Sequence, residues 1–167
     1  SKLTRTTASN WRQPLAWNRK AAAAGQRARV FGPSLADPFD AEVSDDWRRD
    51  YLALIEATPW LDWILLTKRP QVAAKWFADR KVPDNVWLGT TVEDQKMAEL
   101  RIPILASIPA KVHFLSCEPL LEKIEISASL GQYIDDHGNW RYDTVIAHTS
   151  SDAGAHEANL ESDELRW

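Results

Sequence analysis

The sequence predicts an α/β fold: a parallel sheet of about five strands with flanking helices, built either as an open sheet or as part of a barrel. Three observations predict it. Short apolar runs alternate with helix-periodic stretches at intervals of about 20 to 35 residues, the rhythm of right-handed βαβ units. The run Trp63–Thr67 is continuously apolar until Thr67, as in a strand covered on both faces. Each strand-like run also ends in polar residues, and in α/β folds the carboxyl ends of the strands are where ligands collect.

Each element follows from local chemistry. ARVFGPSL, residues 28–35, reads as a strand and DPFDAEV as the loop after it. Residues 44–59 read as a helix, because Ser44 offers an N-cap oxygen and Trp47, Tyr51, Leu54 and Ile55 recur at helical spacing. The next strand, WILLTKR, stops at Pro70, which has no N–H to continue a ladder but suits the first turn of the helix PQVAAKWFADR. NVWLGTTVE, 85–93, is a third strand; DQKMAELRIPILASIP follows it as a helix at least as far as the break expected at Pro103. KVHFLSCEP, 111–119, is a fourth strand and DTVIAHTS, 143–150, a fifth, separated by the less regular ISASLGQYIDDHGNWRY. HEANLESDELRW suits a closing helix. The organisation is one domain over 1–167: an N-terminal arm at 1–27, βα repeats at 28–150 and a divergent tail at 151–167.

Composition narrows the function classes. A net charge of −4, from 20 basic and 24 acidic residues, is neither the strongly basic balance of a nucleic-acid binder nor that of a DNA mimic. The 1 cysteine, Cys117, cannot form an internal disulfide or a multi-cysteine metal site and reads as a packing residue. No apolar run approaches the ~18 residues that span a bilayer, so a cytoplasmic protein without membrane contact is expected. The histidines, His113, His137, His148 and His156, lack ligand spacing, and no metal is expected. No G-x-G-x-x-G or G-x-x-x-x-G-K-[ST] loop follows a strand, which speaks against a dinucleotide or P-loop site. Trp11, Arg12 and Trp17 in NWRQPLAWNRK interleave aromatics with cations, a pattern that stacks nucleobases or packs a core; direct nucleic-acid binding is left open.

The residues at the strand ends form the candidate site. They are Ser34 and Asp37; Thr67, Lys68 and Arg69; Thr90, Thr91 and Glu93; Ser116, Cys117 and Glu118; and His148, Thr149 and Ser150. A parallel sheet places them on one rim, with a pair of cations opposite carboxylates. Two readings stand side by side: a ligand- or partner-binding rim, or Lys68 and Arg69 bracing the loops against Glu93 or Glu118.

WRQPLAWNRKAAA, RVFGPSLADPFD, WRRDYLALIEATPWLDWILLTKRP, NVWLGTTVE, RIPILASIPAKVHFLSCEPLL and YDTVIA, in that order, resemble a phage-associated family of radical-SAM-like proteins of unknown function. The resemblance covers about residues 10–147. It implies a partial TIM-like barrel, with Lys68 and Arg69 facing the barrel mouth toward an anionic substrate or cofactor carboxylate. It also implies S-adenosylmethionine and an iron–sulfur cluster in full-length relatives, held by an N-terminal three-cysteine segment that should precede NWRQPL. Neither that segment nor the family's glycine-rich G-G-E-S-G stretch is found here, where the chain reads AHTSSDAGAHEANLESDELRW. The expectation is therefore a shortened, cluster-less phage or prophage protein that uses no cofactor and acts by binding. Its expected partner is a host or phage protein or nucleoprotein complex, with inhibition of a bacterial defence system such as CRISPR–Cas as one outcome and a homodimer as another form. The alternative is a radical-SAM-like enzyme or enzyme remnant acting on a nucleotide or nucleic acid.

Overall fold

A computed structural model describes residues 6–33, 36–117, 119 and 121–125, together with the backbone of the strands at 132–134, 140–142 and 145–148. The chain begins with helix α1, Ala8–Ala24, and then alternates: β1 Ala28–Phe31, α2 Asp45–Glu56, β2 Leu61–Thr67, α3 Pro70–Phe77, β3 Val86–Thr91, α4 Gln95–Ala106 and β4 Val112–Ser116. A hairpin of β5 Gln132–Ile134 and β6 Trp140–Tyr142 precedes β7 Val145–His148. Strands β1 to β4 form a parallel sheet in sequence order, and β7 lies parallel beside β4. This is the parallel α/β architecture that the sequence predicts.

Sequential order has a geometric consequence. Right-handed crossovers that always step in one direction place the connecting helices on one face of the sheet, the winding of a barrel wall and not of a doubly wound sheet. Burial follows that asymmetry. Along β2, Leu61, Trp63, Leu65 and Thr67 are buried, whereas Asp62, Ile64 and Leu66 are half-buried. The expectation that this run is covered on both faces is therefore corrected: the helix-facing side carries the core, and the other is the side that a barrel-type topology turns inward. On that second side the Phe114 ring lies over Gly89, where a Cβ would come within 2.3 Å of the ring, so glycine is what lets β3 and the ring sit together.

Local signals set the helix starts. The Ser44 hydroxyl accepts from the Trp47 N–H at the head of α2, and Pro70 occupies the first turn of α3. Asp94 caps α4 through the Met97 N–H. Helix α4 runs past the break expected at Pro103 to Ala106: the proline forgoes one intrahelical bond, and Ile102 and Leu105, anchored in the core, hold the last turn in place. The segment expected as an arm is instead a helix of 17 residues, capped by Thr7 and closed by Gly25 at φ 65°. Its Trp11, Leu15 and Trp17 pack against the core, and the Trp11 ring meets Tyr51, which in turn stands edge-on to Trp63. Among the described residues no helix is long and apolar enough to cross a membrane. The closing helix expected over residues 156–167 lies outside the described residues.

Candidate functional site at the strand ends

The chain bends at Lys68 as it leaves β2 and enters α3 at Pro70, and the two cations after β2 part company there. Lys68 reaches toward β3, where its Nζ lies 3.0 Å from Glu93 Oε1. Arg69 turns the other way, to the β1–α2 loop, with Nη1 3.2 Å from Asp37 Oδ2 and Nη2 2.9 Å from Asp40 Oδ2. Each cation thus has its own carboxylate. The two are not aimed at a common point.

Asp37 is the hub on the Arg69 side. Its Oδ2 accepts from the Thr67 hydroxyl at 2.9 Å, the Lys68 N–H at 3.0 Å and Arg69, while Oδ1 accepts from the Phe39 N–H at 2.9 Å. Thr67 is buried and also accepts from the Arg69 N–H, and its carbonyl accepts from the Thr90 hydroxyl at 2.8 Å. Arg48 of α2 ties the same loop down by donating to the carbonyls of Pro38 and Asp40. Here charge-assisted hydrogen bonds fix a loop that would otherwise leave buried polar groups unpaired.

Glu93 is the hub on the Lys68 side. Its second oxygen accepts from Arg101 Nη1 at 2.7 Å, and the same nitrogen donates to the Thr91 carbonyl at 2.6 Å. The Glu93 and Arg101 side chains are each 14 % exposed, against 55 % for Lys68. Burial alone would raise the Glu93 pKa, but the hydrogen bond from Lys68 and the charges of Arg101 and Lys68 outweigh it and hold the carboxyl below its ordinary value of 4.5. A carboxyl whose pKa is lower folded than unfolded contributes stability that is present above the unfolded value and is lost as pH falls through the folded one. Denaturation between neutral pH and about pH 3 should therefore show wild type losing its advantage over Glu93→Gln below about pH 4.5. A difference between the two proteins that stays constant over that range would contradict this electrostatic role.

Sequence reading finds Asp37, Thr67, Lys68, Arg69 and Glu93, and these come together at the strand ends. It misses Arg101, although the signal is present: Arg101 follows Ala98 by three residues and precedes Leu105 by four, so it shares the buried face of α4. It also misses Asp40, which sits in a loop without periodicity. Glu118, the other proposed brace, lies outside the described residues, as do Ser34, Thr149 and Ser150; for His148 the backbone of β7 is placed. Trp11, Arg12 and Trp17 lie on α1, where the two tryptophans join the core packing and Arg12 is exposed.

The donor set does not fit an iron–sulfur cluster. Cys117 is buried at the end of β4, burial pushes its thiol pKa up, and a lone thiol cannot supply the several thiolates such a cluster takes. Among the described residues no group of three His, Cys, Asp or Glu is placed to hold a metal ion.

Residues 1–163 match the model of a family described as Protein of unknown function (DUF5131). No curated protein and no solved structure matches the chain.

Proposed function

We propose that this chain, which belongs to that family of proteins of unknown function, acts by macromolecular binding through the rim at the carboxyl ends of its strands. The observation that carries the reading is the asymmetry between the two cations. Arg69 is held by two carboxylates and takes part in a loop brace, whereas Lys68 is more than half exposed and keeps a single carboxylate contact at the end of its flexible stem. A cation presented in this way offers an acidic group on a partner a contact at little cost to folding. The partner is a protein or nucleoprotein complex of a phage or its bacterial host, with a bacterial defence complex such as CRISPR–Cas as one such target. Self-association along β1, whose described pairing is to β2 alone, is the homodimer form of the same reading.

Affinity capture from extracts of phage-infected bacteria tests the reading, with wild type and Lys68→Glu used side by side. The proposal expects a specific protein or nucleoprotein complex retained by the wild type and lost by the charge-reversed variant. Equal recovery with both baits overturns it.

A second reading, a radical-SAM-like enzyme or enzyme remnant acting on a nucleotide or nucleic acid, is favoured by one observation. Charged and hydroxyl side chains converge at the carboxyl ends of a sheet wound like a barrel wall, where such folds hold substrates. The chemistry of Cys117 ranks it second.

A further inference from the structure

After β4 the chain returns across the start of α4. The Leu121 N–H donates to the Glu93 carbonyl at 2.9 Å, and the Gln95 N–H donates to Glu122 Oε1 at 2.8 Å. The Gln95 side chain then holds Glu125 from both sides: Oε1 accepts from the Glu125 N–H at 2.8 Å, and Nε2 donates to the Glu125 carbonyl at 3.2 Å. A second bond from Nε2, to Glu99 Oε1 at 3.1 Å, fixes the orientation of the amide. One side-chain amide thereby does what a neighbouring strand residue would do, offering a donor and an acceptor to the same backbone unit.

Apolar contact in this attachment is confined to Ile124. Ile124 is half-buried and packs against the core, whereas Leu121 is 68 % exposed. A segment held chiefly by hydrogen bonds open to water belongs to the low end of local stability and opens without global unfolding. Its first bond is to the main chain of Glu93, the residue on which Lys68 and Arg101 converge.

We infer that residues 121–125 form a gate over the Glu93 end of the rim and that Gln95 is its latch. The inference rests on the rim as the functional face and adds how that face is controlled. With the strap closed, Glu93 keeps its low exposure. With the strap released, the Arg101 guanidinium becomes accessible to an acidic group from a partner, which would take the place of Glu93 on it.

Hydrogen exchange and carboxyl labelling on the full chain test the gate without any partner, so they stand apart from the capture experiment. Gln95→Ala is expected to speed exchange of the Leu121 and Glu125 amides by about tenfold or more, with the amides of Leu65 and Leu88 unchanged. Labelling of Glu93 by a carbodiimide and glycine ethyl ester should rise several-fold in the same variant. Ile124→Ser, which removes the apolar anchor and leaves the amide latch, should move both readouts in the same direction. Unchanged exchange in the strap, or faster exchange with Glu93 labelling unaltered, overturns the gate. Exchange that accelerates equally at Leu65 and Leu88 in both variants also overturns it, because the strap would then be part of the global fold.

Discussion

Replacing Asn85 with Asp is expected to lower stability by about 4 kcal/mol or more at neutral pH, because it aims a buried carboxylate at carbonyl oxygens. Asn85 is buried ahead of β3, and its Nδ2 lies 3.0, 3.1 and 3.0 Å from the carbonyls of Ile55, Thr58 and Leu61. That single amide ties the end of α2 to the start of β2. Asn85→Ala should cost less, about 2 kcal/mol, since the Ile55 carbonyl still accepts from Thr58 and the Thr58 carbonyl from Leu61. The Asp variant puts a carboxylate oxygen where Nδ2 donates to the carbonyls of Ile55, Thr58 and Leu61. Its folded pKa is raised, so the extra penalty appears as pH rises above the unfolded value and shrinks below it. Urea denaturation at about pH 7 and about pH 4 should show the gap between the two variants narrowing in acid. Equal stabilities of Asp and Ala variants at neutral pH would contradict this picture of the site.

Asp37→Ala carries the next largest expected effect, about 3 kcal/mol, or roughly 6 to 12 °C in melting temperature for a chain of this size. The substitution removes the acceptor of Thr67, Lys68 N–H, Arg69 and Phe39 N–H together. Thr67 is buried, so its hydroxyl donor loses its partner where water is scarce. The loss stops short of the largest buried-pair values because Arg69 keeps Asp40. A double-mutant cycle with Arg69→Ala checks the assignment: the two changes should cost clearly less together than the sum of each alone. Strict additivity would show that the two side chains do not act as one brace.

How much of this was legible in the sequence depends on how local each signal is. Strands β1 to β4 and helices α2 and α3 were legible because apolar periodicity, the Ser44 cap and Pro70 are decided within a few residues. Helix α1 was not, since Pro14 interrupts the stretch and its buried positions are spread between tryptophans that also suit a basic surface. The β5–β6 hairpin was hidden by strands of 3 residues each in a polar segment. The residues of the rim were legible as types and positions, but their pairing was not. Lys68 and Arg69 invite reading as one anion site, and only the placement of Glu93 on one side and of Asp37 and Asp40 on the other separates them. The spacing of Arg101 from Ala98 and Leu105 marks its place on the buried face of α4, but its role has meaning only once Glu93 is placed beside it.

The division of labour between Lys68 and Arg69 is the centre of this account, and equilibrium urea denaturation of Lys68→Ala and Arg69→Ala beside the wild type tests it most directly. Lys68→Ala should stay within about 0.5 kcal/mol of wild type, as befits an exposed cation with one partner. Arg69→Ala should lose about 2 kcal/mol, because its removal leaves Asp37 and Asp40 close together without their shared cation, tempered by the 39 % exposure of the arginine side chain. Equal losses, or a larger loss at Lys68, would contradict the account by making Lys68 the brace.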